Sequence, residues 1–109
     1  MNFCRKEETE LAQALVSLQI LPRTPRGENV IPYVDRAIEL IDQSGVRYRV
    51  GPLETTMEGD LPELLKIVEK VHEEMVKMGC DSVLAQVKIL YQPDGISISE
   101  LTKKYDEHR

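Results

Sequence analysis

Residues 46–60 read VRYRVGPLETTMEGD, and the order of elements turns on this stretch. Val46, Tyr48 and Val50 alternate with Arg47 and Arg49, the period of two expected of a strand. Gly51-Pro52 interrupts the run. Residues 53–58 follow, rich in strand-favouring Thr. The two runs predict a hairpin with Gly51-Pro52 in or beside its turn. Gly59-Asp60 ends the hairpin, and Asp60 with Glu63 forms a variant capping box, with acid groups at the positive end of a helix.

Downstream, Leu61, Leu64, Leu65, Val68, Val71, Met75 and Met78 form an apolar stripe at helical spacing, stopped by Gly79. Val83, Ala85, Val87, Ile89 and Tyr91 then alternate with Leu84, Gln86, Lys88 and Leu90, predicting a further strand. Pro93-Asp94-Gly95 reads as a turn, and Ser97 with Glu100 as a capping box opening a short helix with Ile98, Leu101 and Tyr105. Upstream of the hairpin, Asn29 is a good N-cap for a helix carrying Val30, Val34, Ala37, Ile38 and Ile41 and closed by Ser44-Gly45. Pro32 is tolerated in its first turn. Residues 21–28, with Pro22, Pro25 and Gly27, read as a loop, and residues 12–20 alternate cleanly as a strand.

The order is strand, helix, strand, strand, helix, strand, helix. It predicts an α+β, ferredoxin-like βαββαβ plait: a four-stranded antiparallel sheet with helices on one face, plus a short C-terminal helix. Residues 1–10 are expected as a polar leader and residues 11–109 as a single ligand-binding domain. The face away from the helices should carry Leu15, Ser17, Gln19, Thr56, Glu58, Leu84, Gln86 and Leu90. So mixed a surface suits a second subunit, a ligand, or both.

Composition narrows the function. The 109 residues carry 19 acidic against 14 basic side chains, a net charge of −5 that repels phosphate backbones. With no Trp and one Phe, parts for a base-stacking platform are also short, so nucleic acid is not expected as a partner. No apolar stretch approaches the ~20 residues of a membrane span, and the start does not read as a signal peptide. Cys4 and Cys80 read as reduced, inert thiols, and a cytoplasmic location is expected.

The densest cluster of chemistry-bearing residues is residues 51–60, with three carboxylates, two hydroxyls and two glycines. On pattern alone it reads first as a polar hairpin tip leading into an N-capped helix, and second as a ligand site. A carboxylate can accept from the amino group of an aminopyrimidine while a hydroxyl donates to a ring nitrogen, which points to Glu58 with Thr55 or Thr56. By strand alternation Thr56 and Glu58 share a side and Thr55 goes with Met57. Arg47 and Arg49 could pair with anions or simply form a solvated strand edge. His72 reads as a helical residue without catalytic partner, and His108 lies in the tail. No metal-ligand spacing, P-loop or G-x-G-x-x-G is present. No enzyme activity, metal or cofactor is expected.

The runs at residues 33–39, 44–48 and above all 51–60, together with residues 94–100, resemble the thiamine-binding, YkoF-like family of small proteins. The specific part is G-P-x-x-T-x-[IVM]-E-G-[DE], and the resemblance spans residues 12–105. It implies a ferredoxin-like fold assembled as homodimers or homotetramers with sheets meeting across subunits. It also implies non-catalytic binding of thiamine or its hydroxymethylpyrimidine moiety. By motif match Thr55 and Glu58 are the leading ligand candidates, with Gly51 and Gly59 shaping the pocket. Thr56, and Ser17 and Gln19 on the first strand, follow from the parity argument. Where many members carry a Gly/Thr/Ser-rich loop after the first strand, residues 22–27 bring two arginines, which favours a neutral pyrimidine or a phosphorylated ligand. The rival readings are a structural or regulatory oligomerisation module without a ligand, and a small enzyme using Glu58 as general base.

Overall fold

The computed structural model describes residues 11–106, so Cys4, His108 and the leader lie outside the described residues. The elements are β1 (Ala12–Pro22), α1 (Ile31–Gln43), β2 (Arg47–Val50), β3 (Thr55–Gly59), α2 (Leu61–Lys77), β4 (Val83–Ile96) and α3 (Ile98–Asp106). The sheet order is β2-β3-β1-β4, antiparallel throughout, which is the expected plait. None of the helices among the described residues is long and apolar enough to cross a membrane.

Alternation decides which side chains meet the helices. Ala14, Val16, Leu18 and Ile20 on β1, Tyr48 on β2 and Met57 on β3 form one core with α1 and α2. From α2 the buried contributors are Leu64, Ile67, Val71 and Met75. Leu65, expected in the stripe, is 43% exposed. At about 100° per residue Ile67 falls in line with Leu64 and Val71, and Leu65 lies one step round the barrel of the helix. In α1 the inward residues are Tyr33, Ala37 and Ile41, while Val30 is exposed. The N-cap position of this helix falls on Val30 rather than Asn29, whose Oδ1 accepts from the Ile31 N–H at 3.0 Å from one residue further out. Asp60 occupies the N-cap of α2, but its side chain makes no capping hydrogen bond there.

Residues 93–95 are not a turn after the last strand but a bulge within it. Ala14 faces Tyr91 whereas Ala12 faces Ile96, so two steps along β1 are matched by five along β4. Gln92 Nε2 donates to Gly95 O at 2.8 Å inside the bulge. Gly95 has φ of 125°, and a Cβ there would stand 2.7 Å from Leu11 Cδ1, so only glycine fits. The bulge returns Ile96 to β1, where Leu15, Ile96 and Ile98 make a second, small core.

That small core anchors α3 on the face opposite α1 and α2. Glu58 Oε1 accepts from the Ile98 N–H at 2.8 Å, placing a carboxylate at the start of α3. Ser97 Oγ accepts from Glu100 N–H at 3.1 Å, as the capping motif predicts. Arg49 Nη1 reaches Thr102 Oγ1 at 3.3 Å. Beneath the helix, Arg47 Nε lies 3.6 Å from Glu58 Oε2, with side-chain exposures of 1% and 2%. Leu15 and Ser17, expected on an open surface, are therefore buried at this corner.

Two outcomes follow. Ile67→Ala should lower the urea midpoint by an amount equivalent to about 2–4 kcal/mol, while Leu65→Ala should change stability by no more than about 0.5 kcal/mol. Glu58→Ala should cost about 3–5 kcal/mol, because Arg47 is left buried without its carboxylate. Amide exchange of Ile98 should speed up in that variant more than amide exchange in α2.

Candidate ligand-binding site

The loop of the β2–β3 hairpin stands between two concavities. Val50 pairs with Thr55, and Gly51 N–H donates to Glu54 O at 2.8 Å to close the four residues between them. A Cβ on Gly51 would meet that oxygen at 3.0 Å, so the tight closure favours glycine. On the helix side the loop faces α1 across a cleft of about 270 Å³. Leu18, Ile20, Val34 and Ile38 supply apolar walls, and Glu54 and Thr55 supply polar groups. On the other side lies a hollow of about 330 Å³ bordered by Arg49, Leu53, Glu54, Thr56 and Lys88. Gly51 and Glu54 border both.

The residues expected from the sequence divide between these places. Gln19, Gly51 and Thr55 line the cleft. Thr56 lines the hollow and pairs across the strands with Ser17. Glu58 and Gly59 lie farther along β3, outside both concavities, and the Glu58 carboxylate is turned under α3 against Arg47 and Ile98. Thr56 and Glu58 do share a face, with Thr55 and Met57 on the other, as the alternation requires. Glu54 escaped the sequence reading. Its signal was its position directly before Thr55 at the end of a hairpin loop.

A broader groove of about 790 Å³ runs between the end of α1 and the start of α2. Asp60, Glu63, Lys66 and Lys70 line it, a mixture of both charges suited to solvent, and none of the expected binding residues is there. His72 Nδ1 lies 2.8 Å from Val68 O, one helical turn back. Burial, with the Asp81 charge adding to it, pushes the Cys80 thiol above its ordinary range and keeps it protonated. Among the described residues no cluster of three or more His, Cys, Asp or Glu could hold a metal ion.

The arrangement suits a flat, partly polar ring. Apolar walls can receive its faces, Glu54 can accept from an amino group, and the Thr55 hydroxyl can donate to a ring nitrogen.

Comparison with known proteins agrees with the fold and gives the family. The chain is 43% identical over 90 residues to a UPF0045 protein of Clostridium perfringens, covering 83% of this chain and 94% of the relative. It resembles the structure of a domain of unknown function, DUF77, from Bacillus cereus, with a TM-score of 0.80 and 40% identity over 87% of this chain and 91% of that one. A structure from Thermotoga maritima, described as a candidate thiamine biosynthesis/salvage protein, gives 0.77 and 32% identity over 85% and 98% of the two chains. Residues 16–108 match the family described as thiamine-binding protein, and the chain belongs to that family.

Proposed function

We propose that the protein binds thiamine, or the hydroxymethylpyrimidine part of it, without transforming it, in the cleft between α1 and the hairpin loop. The observation that carries this reading is the placement of Gly51 and Thr55 together on one apolar cleft in a chain of this family. Its volume of about 270 Å³ lies at the small end of ligand sites, matched to a single substituted ring rather than to a dinucleotide. Thr55 and Glu54 read the edge of that ring, and the Gly51 backbone shapes the wall. Glu58 acts at one remove, by holding α3. Binding alone is favoured over chemistry because a catalytic pair needs complementary acid and base groups. The cleft lining among the described residues offers one carboxylate, Glu54, and no histidine.

Self-association belongs to the same reading. β4 is an edge strand, and along it Leu84, Val87, Ile89, Leu90 and Tyr91 are exposed. Residues 83–92 hold no proline and a single charge, Lys88, so little protects this edge from pairing. A second copy running antiparallel about a two-fold axis offers the same row of backbone donors and acceptors in return.

Isothermal titration with thiamine and with hydroxymethylpyrimidine tests the binding. Thr55→Val should weaken thiamine by about tenfold, the loss of one buried hydrogen bond, with the unfolding midpoint little changed. Absence of heat and of thermal stabilisation at millimolar ligand would refute the reading. Ile89→Lys should shift the sedimentation coefficient from that of an oligomer to that of a monomer. A wild-type chain that sediments as a monomer at all concentrations removes the β4 interface.

A further inference from the structure

The two flanks of α2 differ in chemistry. At about 100° per residue, Leu61, Leu65, Val68, His72 and Val76 fall within about 80° of one another, the spacing of a helix–helix seam. Glu74, which accepts from Arg36 Nε of α1 at 3.0 Å, lies about 160° round the helix from the middle of that row. The row therefore faces away from α1, on the side of α2 toward β4. Leu61 and Val68 are partly buried against the core, while Leu65 and Val76 are 43% and 58% exposed, so a single chain draws little from the last two. His72 fits an apolar row because its Nδ1 lies 2.8 Å from Val68 O, within its own helix. The first charged residue beyond the row is Glu69, on the solvent side.

Beside the row, the edge strand supplies a floor. Val87, Ile89 and Tyr91 are on the helix side of the sheet, since they pair with Leu18, Val16 and Ala14 of β1. They are nevertheless 38%, 49% and 55% exposed. α2 and β4 thus form the wall and the floor of an open apolar trough along one edge of the molecule.

We propose that a second copy of this chain fills the trough, with the two α2 helices packed antiparallel along the row while the two β4 strands pair beneath them. The seam rests on the β4 pairing proposed above and adds a second layer to it. A two-fold axis that joins β4 to its copy brings the outer flank of α2 to face its own copy as well. With strands about 4.8 Å apart, β4 and β1 stand about 5 Å and 14 Å from their copies across that axis. α2 packs on both strands, so the two helices stand at a separation between those limits, a range that includes the 8–10 Å of packed helices. A charge in the row would meet its own like across the axis, and the row carries no Asp, Glu, Lys or Arg. An unrelated partner would place no such demand on the flank of α2 next to an unpaired edge. None of the row or floor residues lines the cleft beside the hairpin loop, so each chain of the pair keeps its own cleft.

Sedimentation of the full chain separates the seam from the strand pairing. The wild type should sediment as an oligomer. Val76→Glu and Leu65→Glu should each lower the sedimenting mass as far as Ile89→Lys does, with a dissociation constant raised at least about tenfold. Far-UV circular dichroism should be unchanged in both, because the replaced side chains are exposed in the single chain. Val76→Thr, which keeps the shape of the side chain, should move the mass in the same direction by a smaller step and covers the case of a glutamate variant that fails to fold. Lys70→Glu, a charge reversal on the groove side of α2, should leave the mass unchanged. An oligomer that survives Val76→Glu and Leu65→Glu but not Ile89→Lys overturns the seam and leaves the strand pairing standing. An oligomer broken equally by Lys70→Glu overturns the seam as well. A wild-type chain that is monomeric at all concentrations overturns both.

Discussion

A slip of one residue in β1 against either neighbour would turn Ala14, Val16, Leu18 and Ile20 away from the helices and drive Leu15, Ser17 and Gln19 into the core. β1 is paired on both sides, to β3 and to β4, so its register is set twice. That double constraint propagates outward. It aligns Glu58 with Arg47 and Leu15, it aligns Thr56 with Arg49 and Ser17, and it leaves Thr55 facing α1. Both concavities beside the hairpin loop are consequences of where β1 places its neighbours.

The next dependence is electrostatic. Arg47 and Glu58 are among the largest fully buried side chains, and neither is comfortable in an apolar setting without compensation. Compensation comes from their mutual attraction and from the first turn of α3, whose Ile98 N–H donates to the carboxylate. α3 is thus held by a charge at its positive end and by the small cluster of Leu15, Ile96 and Ile98. The bulge at Gly95 makes this possible, because it absorbs the extra residues of β4 before Ile96 rejoins β1. A ligand function for Glu58 would compete with this role.

The hairpin loop stands between the two faces of the sheet. A sheet normally separates its faces, since neighbouring residues point apart. Here the loop residues escape alternation, so Gly51 and Glu54 border an apolar cleft on one side and a cationic hollow on the other.

Local signals in the chain were enough for the element order, the plait and the facing of Thr55 against Thr56 and Glu58. Periods of two and 3.6, the Gly51-Pro52 break and the Ser97–Glu100 cap are all short-range features, and physics at that range is written in neighbouring residues. Tertiary structure decided the remainder. Which of Leu65 and Ile67 turns inward depends on where α2 meets the sheet, the conversion of residues 93–95 from turn to bulge depends on Ile96 finding β1, and the burial of Glu58 depends on α3 crossing a face forty residues away in sequence. Each of these is set by packing between distant segments, and spacing within a segment carries no record of it.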